Sequence, residues 1–446
     1  MSRSAGPMRV GARVGVVAAV AVGAWALSGV AREEASPALP EQVAAGPEVS
    51  LAFVRSEQRL TTIDTEQAAM ALTVDGAISS PDGSRIFHTS PAANGGGQRL
   101  RVLDPRTGDE IWSDPVRGGV DVRVASYDGS VVALMEPPTS TSGYPEGRTT
   151  TKVVIAPMDG TPQKVHRLPG NFEPEAFSQD SEDLFLIEYV PAEAPTGYLV
   201  RQLDLATGEV SAVESPDIGP DDVMGGVARS QVMAPDGSRL YTLYSVLPGT
   251  PDGLHGVDHD AGRAFVHVLD LGEKWAHCLQ LPDPFGVEFA VDGPLAISPD
   301  GGDLVVMDPN RYPGQSNVVV VDTETLAPGE VQEAVAIPWP SAAAVSDDGL
   351  LHVAGYDHIS RPRMQTIDLA DMSTVGNEIV RTAVAGISVV DGGRLLVSQP
   401  DRRRLVLTDA DGTNRQQIDL PGQTPLAVGV GSVSLPGPRN VLECAC

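Results

Sequence analysis

Short apolar runs alternate along this chain with tight clusters of Asp, Gly, Ser, Thr and Pro, and nothing of useful length shows helical spacing beyond the first thirty-odd residues. The clusters are of two kinds. In the first, Asp-Gly follows one apolar run and precedes another, as in Ser80-Pro81-Asp82-Gly83-Ser84-Arg85, Ala234-Pro235-Asp236-Gly237-Ser238-Arg239 and Ser298-Pro299-Asp300-Gly301. Looser copies sit at Asp128-Gly129, Asp348-Gly349 and Asp391-Gly392, and Gln179-Asp180-Ser181 is a degenerate one. Asp-Gly tolerates the positive φ of a tight hairpin, so each copy predicts a two-strand reversal. In the second kind an aspartate ends an apolar run and opens a turn, at Asp64, Asp104, Asp159, Asp204, Asp270, Asp322, Asp368 and Asp409. Several continue as Thr-Gly, where the Asp side chain bonds the turn backbone and Gly takes the left-handed position.

Recurrence every ~40–60 residues marks a radial repeat fold. Both markers fit a four-stranded blade whose first turn joins strands A and B and whose second joins C and D. The expected fold is therefore all-β, a single β-propeller. Eight C-D markers against seven A-B markers mean that one blade lacks its own first turn. That blade begins at Leu51 to Arg55 without a preceding strand A, and Pro425 to Gly431 supplies an apolar segment without a partner. The economical solution is eight blades, with the C-terminal strand completing the first blade and hiding its edge. Seven blades result if the copy near Asp159 or the first unit is misread.

Ser-Pro-Asp-Gly before a strand, and Val-Val-Val-Val-Asp-Thr-Glu-Thr-Leu at Val318 to Leu326, resemble the YVTN and TolB-like propeller repeats of exported prokaryotic proteins over nearly the whole chain after residue 48. The resemblance implies a WD40-like β-propeller. It implies little about activity, since that superfamily includes scaffolds, transport partners, lactonases and dehydrogenase subunits.

The N-terminus changes the picture. Arg3, Arg9 and Arg13 precede the apolar stretch Val14 to Val30, and Gly29-Val30-Ala31 resembles a cleavage site. Residues 1–31 thus read as a bacterial-type signal peptide or signal anchor. Residues 32–48, rich in Ala, Pro and Glu, read as a flexible linker, 49–435 as the propeller and 436–446 as a tail. The expected location is extracytoplasmic, secreted or tethered, with the membrane met only through the N-terminal segment. Export permits a disulfide from Cys278 to Cys444 or Cys446; a buried Cys278 and a frayed tail are the other reading. A net charge of -28 repels phosphate backbones, which argues against nucleic acid.

Motifs for chemistry are missing. The chain has no Gly-x-Ser-x-Gly, no His-Glu-x-x-His and no Cys-x-x-Cys-His. Strand alternation puts the tight Asp turns on one face of the disc and every long insertion on the other: Glu136 to Thr150, Pro191 to Gly197, Pro248 to Arg263, Asp308 to Ser316, Asp357 to Arg363 and Pro400 to Arg404. Binding sites concentrate on such loops. Arg311 with Tyr312, His358 with Arg361 and Arg363, and Arg402 with Arg403 and Arg404 fall on B-C loops of successive blades. Guanidinium groups bind carboxylate and phosphate bidentately, so an anionic ligand or acidic partner is expected there. His255, Asp258, His259 and Asp260 form a second cluster, able to hold Ca²⁺ or another divalent ion or simply to be a solvated acidic loop. No other cofactor is implied. His88, His166, His267, His277 and His352 lie in or beside strands and read as packing residues.

The functional reading that needs nothing the chain lacks is an exported, non-catalytic binding or scaffold module, its loop face docking a protein or envelope component. Two alternatives stay open: a metal-dependent lactonase or hydrolase-type propeller, and a dehydrogenase or electron-transfer subunit with a companion chain.

Overall fold

The computed structural model describes residues 50–430 apart from 58, 93–96, 138–144, 217–218, 247–262, 286–292 and 309–314. The expected targeting segment and linker, the tail from 436, and Cys444 and Cys446 lie outside these residues.

Every Asp-marked reversal is a hairpin. In blade 2, strands A to D are Ile78–Ser79, Ile86–Pro91, Gln98–Leu103 and Glu110–Val116. At the A-B turn Ser80 Oγ donates to Asp82 Oδ1 (2.6 Å), the same oxygen accepts the Ser84 N–H (2.9 Å), and Gly83 takes a φ of 71°. The arrangement repeats at Ser126 with Asp128 and at Ser298 with Asp300. In the degenerate copy Ser181 adopts the positive φ, 59°, and Asp180 keeps the same bonds. At the C-D turn Asp104 Oδ1 accepts the N–H groups of Arg106 and Thr107, and Asp204 does so for Ala206 and Thr207. The pattern survives sequence drift because the aspartate supplies the acceptor and any residue able to tolerate a positive φ supplies the bend.

The strands form eight antiparallel sheets in A-B-C-D order. The A strands of neighbouring blades touch, in blades 2 and 3, 3 and 4, 5 and 6, 6 and 7, 7 and 8, and 8 and 1, so A is the innermost strand and the sheets stand radially. Blade 1 takes its strand A from the far end of the chain. Ala427–Gly429 pairs antiparallel with Leu51–Ser56, Val54 opposite Val428, and the Leu426 N–H donates to Arg55 O (2.8 Å). In blade 6 the outer strand is split: Ala327–Pro328 and Gln332–Val335 both pair with Ser316–Asp322, with the Gly329 N–H bonded to Val320 O between them.

The core lies between blades. Phe87, Leu100, Val102 and Trp112 of blade 2 meet Val122, Val132, Leu134 and Val154 of blade 3. Equivalent clusters fill the other interfaces, Phe53, Leu60 and Val74 meeting Ala77, Ile86 and Leu103 where blade 1 meets blade 2. Each fully buried aliphatic side chain contributes about 1.5–3 kcal/mol. Among the described residues no helix is long and apolar enough to cross a membrane.

The five strand histidines sit in strands as expected, and three of them make stability depend on pH. His352, on strand B of blade 7 (Leu350–Tyr356), has no solvent exposure and shares a hydrogen bond through Nδ1 with Thr366 Oγ1 (3.1 Å). Burial pulls its pKa below 6.5; burial also lowers His88, helped by Arg101, and His166, helped by Lys164. Well above pH 6.5 these rings are neutral folded and unfolded and contribute no slope. As pH falls below 6.5 the unfolded chain takes up protons that the folded one refuses, so stability drops until the lowered folded pKa values are passed. Melting temperature is expected to be level from about pH 8 to 7 and to decline from 6.5 downward, with a shallower decline in His352→Gln. A level profile down to about pH 5 would remove the idea.

Candidate functional site

Antiparallel alternation places the A-B and C-D turns on one face and the B-C and D-A connections on the other. The turn face is drawn together at its centre. Tyr127, in the A-B turn of blade 3, donates its hydroxyl to Pro235 O in the A-B turn of blade 5 (2.6 Å), and its own carbonyl accepts the Asp82 N–H of blade 2 (3.1 Å). Its ring lies against Gly237, where a Cβ would collide with it. Burial, and then the carboxylates of Asp82 and Asp236, raise the Tyr127 pKa, which fits turns converging on one point.

On the loop face the organising residue of blade 7 is Asp357. It follows strand B directly, is only 3% exposed, and its Oδ1 accepts the N–H groups of Ile359 (3.0 Å) and Arg361 (2.9 Å). The Ser360 N–H closes the turn on Asp357 O, with Ser360 at a φ of 61°. Asp357 Oδ2 takes two guanidinium groups at once, Arg361 Nε at 2.9 Å and Arg363 Nε at 3.2 Å. Burial pushes the Asp357 carboxyl up, but these backbone N–H groups and both arginines outweigh it and hold the group well below the usual carboxylate range. One carboxylate thus rigidifies the loop and leaves it with a surplus positive charge. Arg361 keeps about half of its side chain in solvent, whereas Arg363 reaches outward to Asn377 Oδ1 (3.4 Å).

Blade 8 adds the next loop. Pro400 starts a single 3₁₀ turn, Pro400–Arg402, whose cap residue Arg403 is left-handed (φ 51°) and donates its N–H to Pro400 O. Asp401, Arg402 and Arg403 are exposed. Arg404 is steadied by the amide oxygens of Gln399 (2.8 Å) and Gln417 (2.7 Å), neutral partners that leave its charge in place. The two loops lie on the same face of adjacent blades, whose A strands touch; burial and then the Asp401 carboxylate raise the Tyr356 phenol. Exposed Arg381 lies on the connection between the blades.

Arg361 and Arg363 share one carboxylate in blade 7, Arg402 and Arg403 are exposed on the B-C loop of the adjacent blade, and His358 is exposed at the blade 7 loop tip. Arg311 and Tyr312, like His255, Asp258, His259 and Asp260, lie outside the described residues. Arg381 and the exposed Ile359 were not singled out from sequence. The signal for Arg381 was present, since the same alternation that puts B-C loops on this face puts D-A connections there too.

Elsewhere among the described residues some loop-face charges are paired internally. Arg148 donates from Nε to Asn171 Oδ1 (2.8 Å) and faces buried Glu173 at 3.6 Å, which also accepts the Tyr189 hydroxyl (3.2 Å), tying blade 3 to blade 4. At the rim, Glu214 on the connection leaving blade 4 bridges Trp275 of blade 5. Beside it lies a groove of about 850 Å³ lined by Pro216, Pro220, Trp275, His277 and Leu326 among others. Trp275 carries the Arg239 guanidinium at 5.5 Å from its ring centroid, and Cys278 is buried with its thiol 3.8 Å from Met224 Sδ. Among the described residues no three His, Cys, Asp or Glu side chains come close enough to hold a metal ion.

The sequence matches no protein-family model and no curated protein. Solved structures similar to the chain include AztD from Citrobacter koseri in its apo form (12% identity over 86% of this chain and 98% of that one, TM-score 0.48) and dihydro-heme d1 dehydrogenase NirN in complex with DHE (16%, 89% and 80%, TM-score 0.47). TolB from Acinetobacter baumannii is more distant (12%, 77% and 81%, TM-score 0.36). Likenesses at this level carry no argument about activity, and the blade count rests on the strand pairing described above.

Proposed function

We propose that this chain is an exported, non-catalytic propeller of the YVTN/TolB-like kind that binds an acidic partner through the loop face of blades 7 and 8. The observation that carries the reading is the run of guanidinium groups at Arg361, Arg363, Arg381, Arg402, Arg403 and Arg404. The carboxylates set among them are Asp357 and Asp401 on the loops and Glu378 and Asp419 at the adjoining strand ends, in a chain whose net charge is -28. A cationic sector kept on so acidic a surface focuses the approach of anions. Strand B of blade 1 starts at the turn face with Leu51 opposite Asp64, so the polypeptide joins the disc on the side away from this sector.

The test uses the full chain, with capped oligoglutamate as probe in titration calorimetry. Arg402→Glu with Arg403→Glu is the variant of choice, because Arg361 and Arg363 also hold their loop in shape. Binding is expected to weaken at least about tenfold in the double variant, and to weaken in the parent as salt rises from about 20 to about 300 mM. Equal affinity of parent and variant would falsify the reading.

A further inference from the structure

The partner's chemistry can be taken a step beyond charge. Ile359 stands at the tip of the blade 7 loop with 55% of its surface in solvent, one of few large apolar side chains so exposed among the described residues. It is not on a loose tip. Its N–H is bonded to Asp357 Oδ1, the next residue closes the turn on Asp357 O, and Arg361 and Arg363 hold the same carboxylate from the other side. A loop backbone held in this way loses little freedom on binding, so transfer of the aliphatic side chain from water goes more fully into affinity. His358 and Arg361 adjoin it in the loop, and Arg402 and Arg403 are on the B-C loop of the next blade, all exposed.

We infer that Ile359 is a preorganised apolar anchor beside exposed arginines, and that the partner is a protein segment offering an apolar contact within an acidic rim. This rests on the reading of the arginine sector as a binding surface. Interfaces concentrate affinity in a desolvated apolar centre, with a polar rim that excludes water and sets orientation, and the two loops provide that layout in miniature. A free anion has no use for Ile359. An anionic lipid surface is the poorer match, since a single aliphatic side chain inserts little area and the acidic disc around the sector is repelled by the same headgroups.

Two capped peptides distinguish the cases on the full chain: oligoglutamate, and Glu-Glu-Leu-Phe-Glu-Glu. The mixed peptide is expected to bind the parent about tenfold tighter than oligoglutamate. Ile359→Ser should erase that gain and leave oligoglutamate binding unchanged. The residue is a surface one, so the variant folds, and an unaltered melting temperature documents it. A gain that survives Ile359→Ser, or no gain in the parent, overturns the anchor while the arginine reading stands. If Arg402→Glu with Arg403→Glu leaves both peptides bound as before, the arginine reading itself falls. Binding to phosphatidylglycerol vesicles that is lost in Ile359→Ser also overturns the proposal, in favour of a membrane surface.

Discussion

Ending the chain at Thr424 is expected to open the ring and destabilise the propeller. The truncation keeps Gln423, whose buried amide oxygen accepts the Thr61 hydroxyl (2.8 Å), and takes away the closing strand Ala427–Gly429 with the residues on either side of it. The strand's three residues pair with Phe53, Val54 and Arg55. Val428 also packs on the cluster of Ala52, Val54, Ile63, Leu396 and Leu405 that joins blade 1 to blade 8. Ala52 and Val54 have no solvent exposure in the closed ring. Without the strand, apolar surface worth about 1.5–3 kcal/mol per aliphatic side chain is uncovered, against a total margin of about 5–15 kcal/mol. The melting temperature should fall by roughly 5 °C or more. The bare edge of Leu51–Ser56 should make the protein associate as concentration rises. Calorimetry with size-exclusion chromatography reads both; a monomer melting with the parent would show that closure contributes little.

Gly355→Val should be nearly as damaging, for a different reason. Gly355 lies on strand B of blade 7, opposite Pro340 at a bulge of strand A. A Cβ there would overlap the Trp339 carbonyl oxygen and come within 2.7 Å of Ile337 Cγ2 and 2.8 Å of Pro340 Cα. Two of these three contacts are backbone, which cannot swing aside like a side-chain end. Overpacking of this kind costs about 2 kcal/mol or more. Gly355 is two residues before Asp357, so separated strands should also loosen the loop that carries Ile359 and Arg361. Faster amide exchange at Ile359 and Arg361 together with a lower melting temperature is the expected pair of results; parent-like values of both would refute the argument.

The propeller was legible because its turns carry their own chemistry. Asp82, Asp128 and Asp300 mark hairpins whether or not the flanking strands are known, and the surplus of C-D over A-B markers pointed to the strand at Ala427–Gly429. What could not be read depends on distant partners. Nothing local in Tyr127 says that its hydroxyl reaches Pro235 past a whole blade, and nothing in Glu214 announces Trp275. The split outer strand of blade 6 comes from Gly329 bonding Val320, a choice the flat pattern around Ala327 conceals. At the site, Arg361 and Arg363 were visible as loop cations. That both would share one buried carboxylate was not, because Asp357 reads equally well as a solvated turn residue. Ile359 escaped notice since a lone aliphatic residue in a loop carries no periodicity.

The way blade 1 is assembled also governs the order of folding. Phe53, Val54 and Arg55 find their inner partners only in Ala427–Gly429, close to the other end of the chain, so the first blade is the last to be completed. Contacts of such sequence separation carry a large loop-closure entropy and slow the final step. Until they form, strands B to D of blade 1 present an unpaired edge while the other blades already have theirs covered. Refolding should therefore show a slow, concentration-sensitive final phase that senses blade 1 and the strands of blade 8 that pack against it.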